Sequence, residues 1–190
     1  MIQPRLEVKS LSIPDVKLIR PRKFGDSRGF FCETYNARDF AEIGIDFAPI
    51  QDNQSLSAEA GVVRGLHFQT PPHAQAKLLR VLSGRLFDAV VDLRRASPTF
   101  GQHATVELDN DGWWQLFVPA GFAHGFVTLE PGTEVLYKVD AYYAPDNDLG
   151  LYWADPDLGI EWPIDTDGCT LSEKDKNQPA WSDVRNTTPF

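Results

Sequence analysis

Lys77-Leu-Leu-Arg-Val-Leu-Ser-Gly-Arg-Leu-Phe-Asp-Ala-Val-Val-Asp-Leu93 is the stretch that decides the fold class. Two short apolar runs, Lys77 to Leu82 and Leu86 to Leu93, flank the turn signal Ser83-Gly84. Short apolar runs bounded by turn residues read as strands. The pattern repeats on both sides. Ile50 to Leu56 and Val62 to Gln69 come before it; Ala104 to Leu108, Gln115 to Val118, Gly125 to Leu129 and Val135 to Val139 come after. Ser97-Pro98, Asp109 to Gly112, Pro119 to Gly121 and Pro131-Gly132 supply turns. Strands about ten residues apart with Gly/Pro turns indicate a β-sandwich or barrel. Such a fold offers one obvious site, its mouth or interior.

Toward the N-terminus, Val16 to Arg20 alternates apolar and basic residues before Pro21. Gly29 to Tyr35 reads as a strand entered through Gly25-Asp26-Ser27. Asn36 can cap a short helix in which Phe40 and Ile43 share a face, with Gly44 as its stop. After Tyr143 the chain turns irregular and acidic. Ser172-Glu-Lys-Asp175 can begin another short helix, with Ser172 as cap and Asp175 at the capping-box position. The 190 residues are expected to form one domain over 1–190. Its barrel core spans about 47–140, strands within 13–35 pair with the core or with a partner, and short helices and a tail occupy about 144–190. Residues 177–190 carry no reading beyond a tail packed on the barrel.

Apolar residues make up 42% of the chain, enough for a sizeable core. Twelve Phe and five Trp add bulk for packing or flat faces for stacking. The net charge of -9 argues against nucleic acid, whose backbone needs a broad basic surface. An anionic small molecule is still open to it, since a few Arg and Lys can hold one phosphate. Cys32 and Cys169 form no CxxC pair, as expected of reduced, inert thiols. Met1 to Lys9 lacks the apolar centre of a signal peptide. No apolar run reaches the roughly 20 residues of a membrane helix. The expectation is a soluble, cytoplasmic protein without a membrane partner.

Polar residues on apolar strands are the candidates for chemistry. Lys77 shares a strand face with Leu79 and Val81; it either reaches solvent at the strand end or meets an anion. Asp88 and Asp92 flank Val90 on one face, as acid/base groups or, the favoured reading, as ion-pair partners for Arg80 or Arg94. His67 and His124 are two of four histidines. Each, taken alone, suits either proton transfer or a structural hydrogen bond. Arg64 and His67 are three apart, so a regular strand would point them to opposite faces; a bulge at Gly65 would bring them together. His73, after Pro71-Pro72, and His103, after Gly101-Gln102, read as loop residues.

His124 stands in Pro119-Ala-Gly-Phe-Ala-His124, a spacing that resembles the second motif of the cupin superfamily. Metal cupins also carry a His-x-His followed by a Glu, and this chain has no His-x-His. A three-ligand metal site is hard to assemble from what remains, so no metal is expected.

Nine separated motifs resemble the dTDP-4-dehydrorhamnose 3,5-epimerase family, a metal-free branch of the cupins, from about Ile13 to Asp175. They are Asp26-Ser-Arg28-Gly-Phe-Phe31-Cys-Glu33, Gln51-Asp-Asn53-Gln-Ser55, Val63-Arg64-Gly-Leu-His67-Phe-Gln69, Gln75-Ala-Lys77, Asp88-Ala-Val-Val-Asp92-Leu-Arg94 and Pro119 to Phe126. Tyr137-Lys138 with Tyr142-Tyr143, Asp155-Pro156 with Trp162-Pro163, and Ser172-Glu-Lys174-Asp175 complete the series. The resemblance implies a mainly β fold, a cupin-type jelly-roll barrel or sandwich with a few short helices. It implies His67 as catalytic base, Asp175 as the carboxylate that orients it, Tyr137 as general acid on the opposite sugar face, and Lys77 at the enolate oxygen. Arg64 and His124 match further polar groups of the active site. Arg28, Glu33, Gln51, Asn53 and Lys174 match nucleotide and diphosphate contacts, and Phe31 and Tyr143 match aromatics around the thymine. In the family the Arg28 to Glu33 strand reaches a partner's site, which implies a homodimer. One departure is Asp148, where many members carry Glu; its arm is one carbon shorter.

The residue types suit that chemistry. A proton beside a C4 ketone is acidic because its loss gives an enolate. Neutral His can accept it, a Lys can stabilise the enolate oxygen, and a Tyr phenol can return a proton from the other face. The substrate already carries its ketone, so no cofactor is needed, and the chain has no Gly-rich dinucleotide fingerprint. The expected reaction is epimerisation at C3 and C5 of dTDP-4-dehydro-6-deoxy-D-glucose, in the making of dTDP-L-rhamnose for surface polysaccharide. Competing readings are an epimerase acting at one position of a related 4-keto sugar, a metal-dependent cupin enzyme, and a non-catalytic sugar-nucleotide binder.

Overall fold

The computed structural model describes residues 5–190. In chain order the strands are β1 (Leu6–Ser10), β2 (Lys17–Pro21), β3 (Lys23–Asp26), β4 (Gly29–Cys32), β5 (Gln51–Ser57), β6 (Val63–Gln69), β7 (Lys77–Ser83), β8 (Arg85–Asp92), β9 (His103–Asp109), β10 (Gln115–Val118), β11 (Phe122–Thr128), β12 (Thr133–Val139) and β13 (Asp148–Gly150). The helices are α1 (Ala37–Glu42), α2 (Glu173–Lys176) and α3 (Trp181–Val184). One sheet runs β1-β2-β10-β7-β12-β5 and the other β13-β6-β11-β8-β9. Sequence neighbours are scattered between the two, and the sheets form a jelly-roll sandwich.

The sandwich core follows from alternation. Leu79 and Val81 of β7, Val135 of β12 and Leu116 of β10 meet Leu86 and Val90 of β8 and Phe122 and Phe126 of β11. The outer sheet faces are covered too. The segment after β13, with Leu151, Trp153, Leu158 and Trp181, packs on Ala89 and Val91 of β8, on Leu93 just past it, and on Ala123 and Val127 of β11. Phe40 of α1 and Phe47 pack on Ile19, Leu78 and Phe117. Every residue of β11 is therefore buried. A strand buried on both faces reads as a continuous apolar run, so its start at Phe122 rather than Gly125 was hidden in the sequence. Each fully covered aliphatic side chain contributes roughly 1.5–3 kcal/mol.

α1 begins as its sequence requires: the Asn36 side chain accepts from Arg38 N at 3.1 Å, Phe40 is buried, and Gly44 takes φ 80° just past the end. Several strands and the tail depart from expectation. β1 pairs antiparallel with β2 as an edge strand; its apolar alternation is limited to Leu6 and Val8, of which Leu6 packs on the Ile19–Phe40 cluster. Gly25-Asp26 belongs to β3, and the turn falls one step later, between Asp26 and Gly29. β4 stops at Cys32 because Tyr35 turns inward, onto Phe40 and Phe47. The tail forms α3, with Trp181 buried against Phe100. His103 lies at the start of β9 rather than in a loop, its Nδ1 at 2.9 Å from the Leu158 carbonyl oxygen.

Of the Met1 to Lys9 segment, residues 1–4 lie outside the described residues. Cys32 and Cys169 are free thiols. Among the described residues no helix is long and apolar enough to cross a membrane.

Candidate active site

β6 supplies two polar side chains to one cavity. On β11, His124 pairs with His67 and Phe126 pairs with Arg64. Two steps on β11 therefore face three on β6, and the extra residue is a bulge. Gly65 takes φ 129° there, a region side chains avoid. Arg64 and His67 consequently line the same cavity of about 270 Å³, together with Lys77, Tyr137, His124 and Asp175. The bulge expected at Gly65 is present.

His67 Nε2 is hydrogen-bonded to Asp175 Oδ1. α2 presents that carboxylate: the Ser172 hydroxyl accepts from Asp175 N at 3.1 Å and donates to Asp175 Oδ2 at 2.8 Å. Burial pushes the Asp175 carboxyl up, but the hydrogen bond and charge of His67, with Ser172 and Lys174, hold it below its ordinary value. With Nε2 engaged, Nδ1 is the ring nitrogen left to take a proton.

A second pair stands beside the first, on the neighbouring strands of the same sheet. His124 Nε2 lies 2.8 Å from Asp88 Oδ2, and Asp88 is wholly buried. Burial raises the Asp88 carboxyl against the pull of His124 and Lys77. This corrects the expected ion pair of Asp88 with Arg80 or Arg94. The sequence holds no signal for the correction, because it depends on how β8 pairs with β11. Asp92 does keep a structural partnership, with Arg94 Nε at 2.9 Å and the Ser97 and Thr99 hydroxyls both at 2.6 Å.

Lys77 opens β7 at the cavity wall. Burial lowers its ammonium to about 8, although Asp148 and Asp88 raise it. Tyr137, on β12, has its phenol pushed up by burial, with Arg64 pulling it down and Asp148 pushing it further up. Arg64 is steadied by the Leu56 carbonyl at 3.3 Å and Ser57 Oγ at 3.4 Å. Ser55 and Ser172 also line the cavity, and neither was singled out for it in the sequence.

A second group forms a chained set beside Tyr137, whose strand partner is Asn53. Gln51 Nε2 donates to Asn53 Oδ1 at 2.9 Å, and Tyr143 N donates to Gln51 Oε1 at 3.2 Å. The Tyr143 hydroxyl donates to Asp148 Oδ2 at 3.1 Å, and the same carboxylate oxygen takes Lys174. Asp148 thus reaches both neighbours despite its short arm. Arg28, Phe31 and Glu33 are not part of this assembly. They sit on or beside the exposed β3–β4 hairpin, which pairs with neither large sheet. Arg28 bonds Asp26 there, and Glu33 accepts from Asn36 at 3.3 Å. A wider groove of about 620 Å³, bounded by Arg5, Arg20, Lys23 and Trp113, contains none of the four histidines.

Comparison with known proteins agrees with this fold. The model of the family described as dTDP-4-dehydrorhamnose 3,5-epimerase matches residues 10–183. A dTDP-4-dehydrorhamnose 3,5-epimerase of Sinorhizobium fredii is 54% identical over 172 residues, 90% of this chain and 88% of that protein. A crystal structure of the enzyme of that name from Bacillus anthracis, with TDP and pyrophosphate bound, superposes with a TM-score of 0.88 at 49% identity, covering 92% of this chain and 99% of that one. The crystal structure of a dTDP-6-deoxy-D-glucose-3,5-epimerase from Legionella pneumophila, in complex with dTDP-4-keto-L-rhamnose, gives a TM-score of 0.88 at 39% identity and covers 93% of each chain. With a matching fold, a family model spanning most of its length and relatives near half identical, this chain belongs to the dTDP-4-dehydrorhamnose 3,5-epimerase family.

Proposed function

We propose that the protein inverts C3 and C5 of dTDP-4-dehydro-6-deoxy-D-glucose, giving dTDP-4-dehydro-L-rhamnose, without a cofactor. One observation carries the proposal: His67, Tyr137 and Lys77 border a single cavity, and His67 is backed by Asp175. His67 Nδ1 takes the proton beside the C4 ketone. Asp175 holds the ring's orientation and stabilises the imidazolium that forms. The Lys77 ammonium faces the enolate oxygen, where a buried cation acts most strongly. Tyr137 returns a proton to the opposite face, so the configuration inverts. His67 then releases its proton to solvent and Tyr137 regains one from it, and repetition at the second carbon completes the reaction. Arg64 and His124, the latter held by Asp88, bind the sugar. Gln51, Asn53, Tyr143, Asp148 and Lys174 receive the nucleotide and its diphosphate.

The active assembly in this proposal is a cytoplasmic homodimer. The β3–β4 hairpin supports it, with Phe24 52%, Phe30 57% and Phe31 68% exposed to solvent in the isolated chain. Arg28, Phe31 and Glu33 complete the partner's nucleotide site, since they lie outside the cavity of their own chain.

The test is incubation with the dTDP-linked 4-keto sugar in deuterium oxide, with label read at each carbon. Deuterium at both C3 and C5 of the rhamno product supports the proposal. Label at one position only assigns a single-position epimerase, and no label rules out proton transfer altogether.

A further inference from the structure

Asp175 is delivered to His67 by a segment with almost nothing apolar to hold it. Between positions 172 and 179 only Asp175 is buried. Upstream the chain is fixed by Thr170, which exchanges backbone hydrogen bonds with Val63 at 3.0 Å and Gly61 at 2.9 Å. Downstream the first buried anchor is Trp181. Beyond Leu171, which packs on the Leu151–Trp181 cluster, the nine residues 172–180 carry the Asp175 carboxylate with no buried apolar side chain, the kind of segment that opens locally.

Its downstream end is fixed by a carboxylate that the resemblance leaves without a chemical role. Asp155 is 7% exposed. Its Oδ2 accepts from Trp181 N at 2.6 Å, while Oδ1 accepts from Asp157 N at 2.9 Å. A buried carboxylate needs such donors, and two backbone N–H groups from separate segments join those segments. The same span is tied again where Tyr152 N donates to the Pro179 carbonyl at 2.8 Å. Beside that tie, the Gln178 side chain lies on Gly150. A Cβ at Gly150 would stand 2.5 Å from Gln178 Cδ and 2.6 Å from the Leu66 carbonyl. Gly150 is the strand partner of His67. Gln178 therefore presses the Asp175 segment onto the backbone directly beside the base.

We propose that Asp155, with Gln178, is a positioning clamp for the epimerase site: it holds the Asp175 segment so that Asp175 meets His67. This rests on the His67–Asp175 reading above and names what enforces that contact. Loss of the clamp lets Asp175 drift, and a misplacement of about 1 Å is worth up to a hundredfold in rate.

Asp155→Ala and Gln178→Ala are to be made in the wild-type background and again in Asp175→Asn, with turnover of the 4-keto sugar nucleotide measured in each. A clamp acts only through Asp175. Asp155→Ala should therefore lose about tenfold in kcat and Gln178→Ala about threefold in the wild-type background, and under twofold in the Asp175→Asn background. A general structural role would cost the same factor in both. Equal losses in the two backgrounds, or no loss in either, overturn the clamp. If Asp155→Ala does not fold, Gln178→Ala, which leaves the Asp155 hydrogen bonds in place, decides by the same criterion. If Asp175→Asn alone retains wild-type turnover, the His67–Asp175 reading is what fails.

Discussion

Gly65 of β6 faces Gly125 of β11 so closely that a Cβ on Gly65 would stand 2.5 Å from the Gly125 Cα and 2.8 Å from the His124 carbonyl oxygen. Close approach and φ 129° both demand glycine here. The consequence is functional, because the bulge at this point turns Arg64 and His67 into one cavity. Gly65→Ala should cost about 1–3 kcal/mol of stability in urea unfolding. It should also lower turnover by at least about a hundredfold in protein that is still folded.

Lys77 should make activity fall at alkaline pH. Its lowered value of about 8 means the ammonium is present below that pH and lost above it. In the free enzyme kcat/KM should therefore fall with an apparent pKa near 8. Lys77→Arg keeps its charge across that range, so whatever activity it retains should show no fall there. A fall of the same midpoint in Lys77→Arg would assign it to another group.

Asp92 should govern part of the acid stability. Burial would raise its carboxyl, but Arg94, Ser97 and Thr99 hold it at about 2 against an ordinary 3.8. A depressed carboxyl stabilises the fold above its unfolded value and loses that contribution as pH falls through the folded one. The difference is on the order of 2 kcal/mol at neutral pH. Asp92→Asn should be less stable than wild type at pH 6 in guanidinium unfolding. The gap between the two should narrow from about pH 4 downward.

Shared sites make a mixing prediction. Arg28→Ala and His67→Ala are each expected to be nearly inactive alone. If the hairpin of one protomer serves its partner's cavity, a mixed dimer has one site with both lesions and one with none. Co-refolding equal amounts should restore roughly a quarter of wild-type activity, the share expected when half the dimers are mixed and each has one intact site. No gain above the separate variants would place Arg28 outside the partner's site.

Much of this fold was legible because period and punctuation agree over the centre of the chain. The strands from β5 to β10 and β12 lie where short apolar runs end in Gly, Pro or Asp turns. Legibility failed where tertiary context replaces local pattern. β1 offers only Leu6 and Val8 as an alternating signal, β11 is buried on both faces, and β13 is a three-residue edge beside His67. Among site residues, the bulge at Gly65 was readable because a three-residue spacing cannot share a strand face. The Asp88–His124 pair was not, since these residues lie 36 apart and meet through the register of β8 and β11. Asp155 was visible only as part of a motif; its purpose emerges when Trp181, 26 residues later, returns to it.

The most direct test of the central claim is the rate of solvent deuterium entry into the 4-keto sugar with His67→Ala, in protein whose circular dichroism matches wild type. With His67 as the base, exchange at C3 and C5 should fall by at least about a hundredfold. Exchange at the wild-type rate would contradict the assignment and move the base to another residue of the cavity.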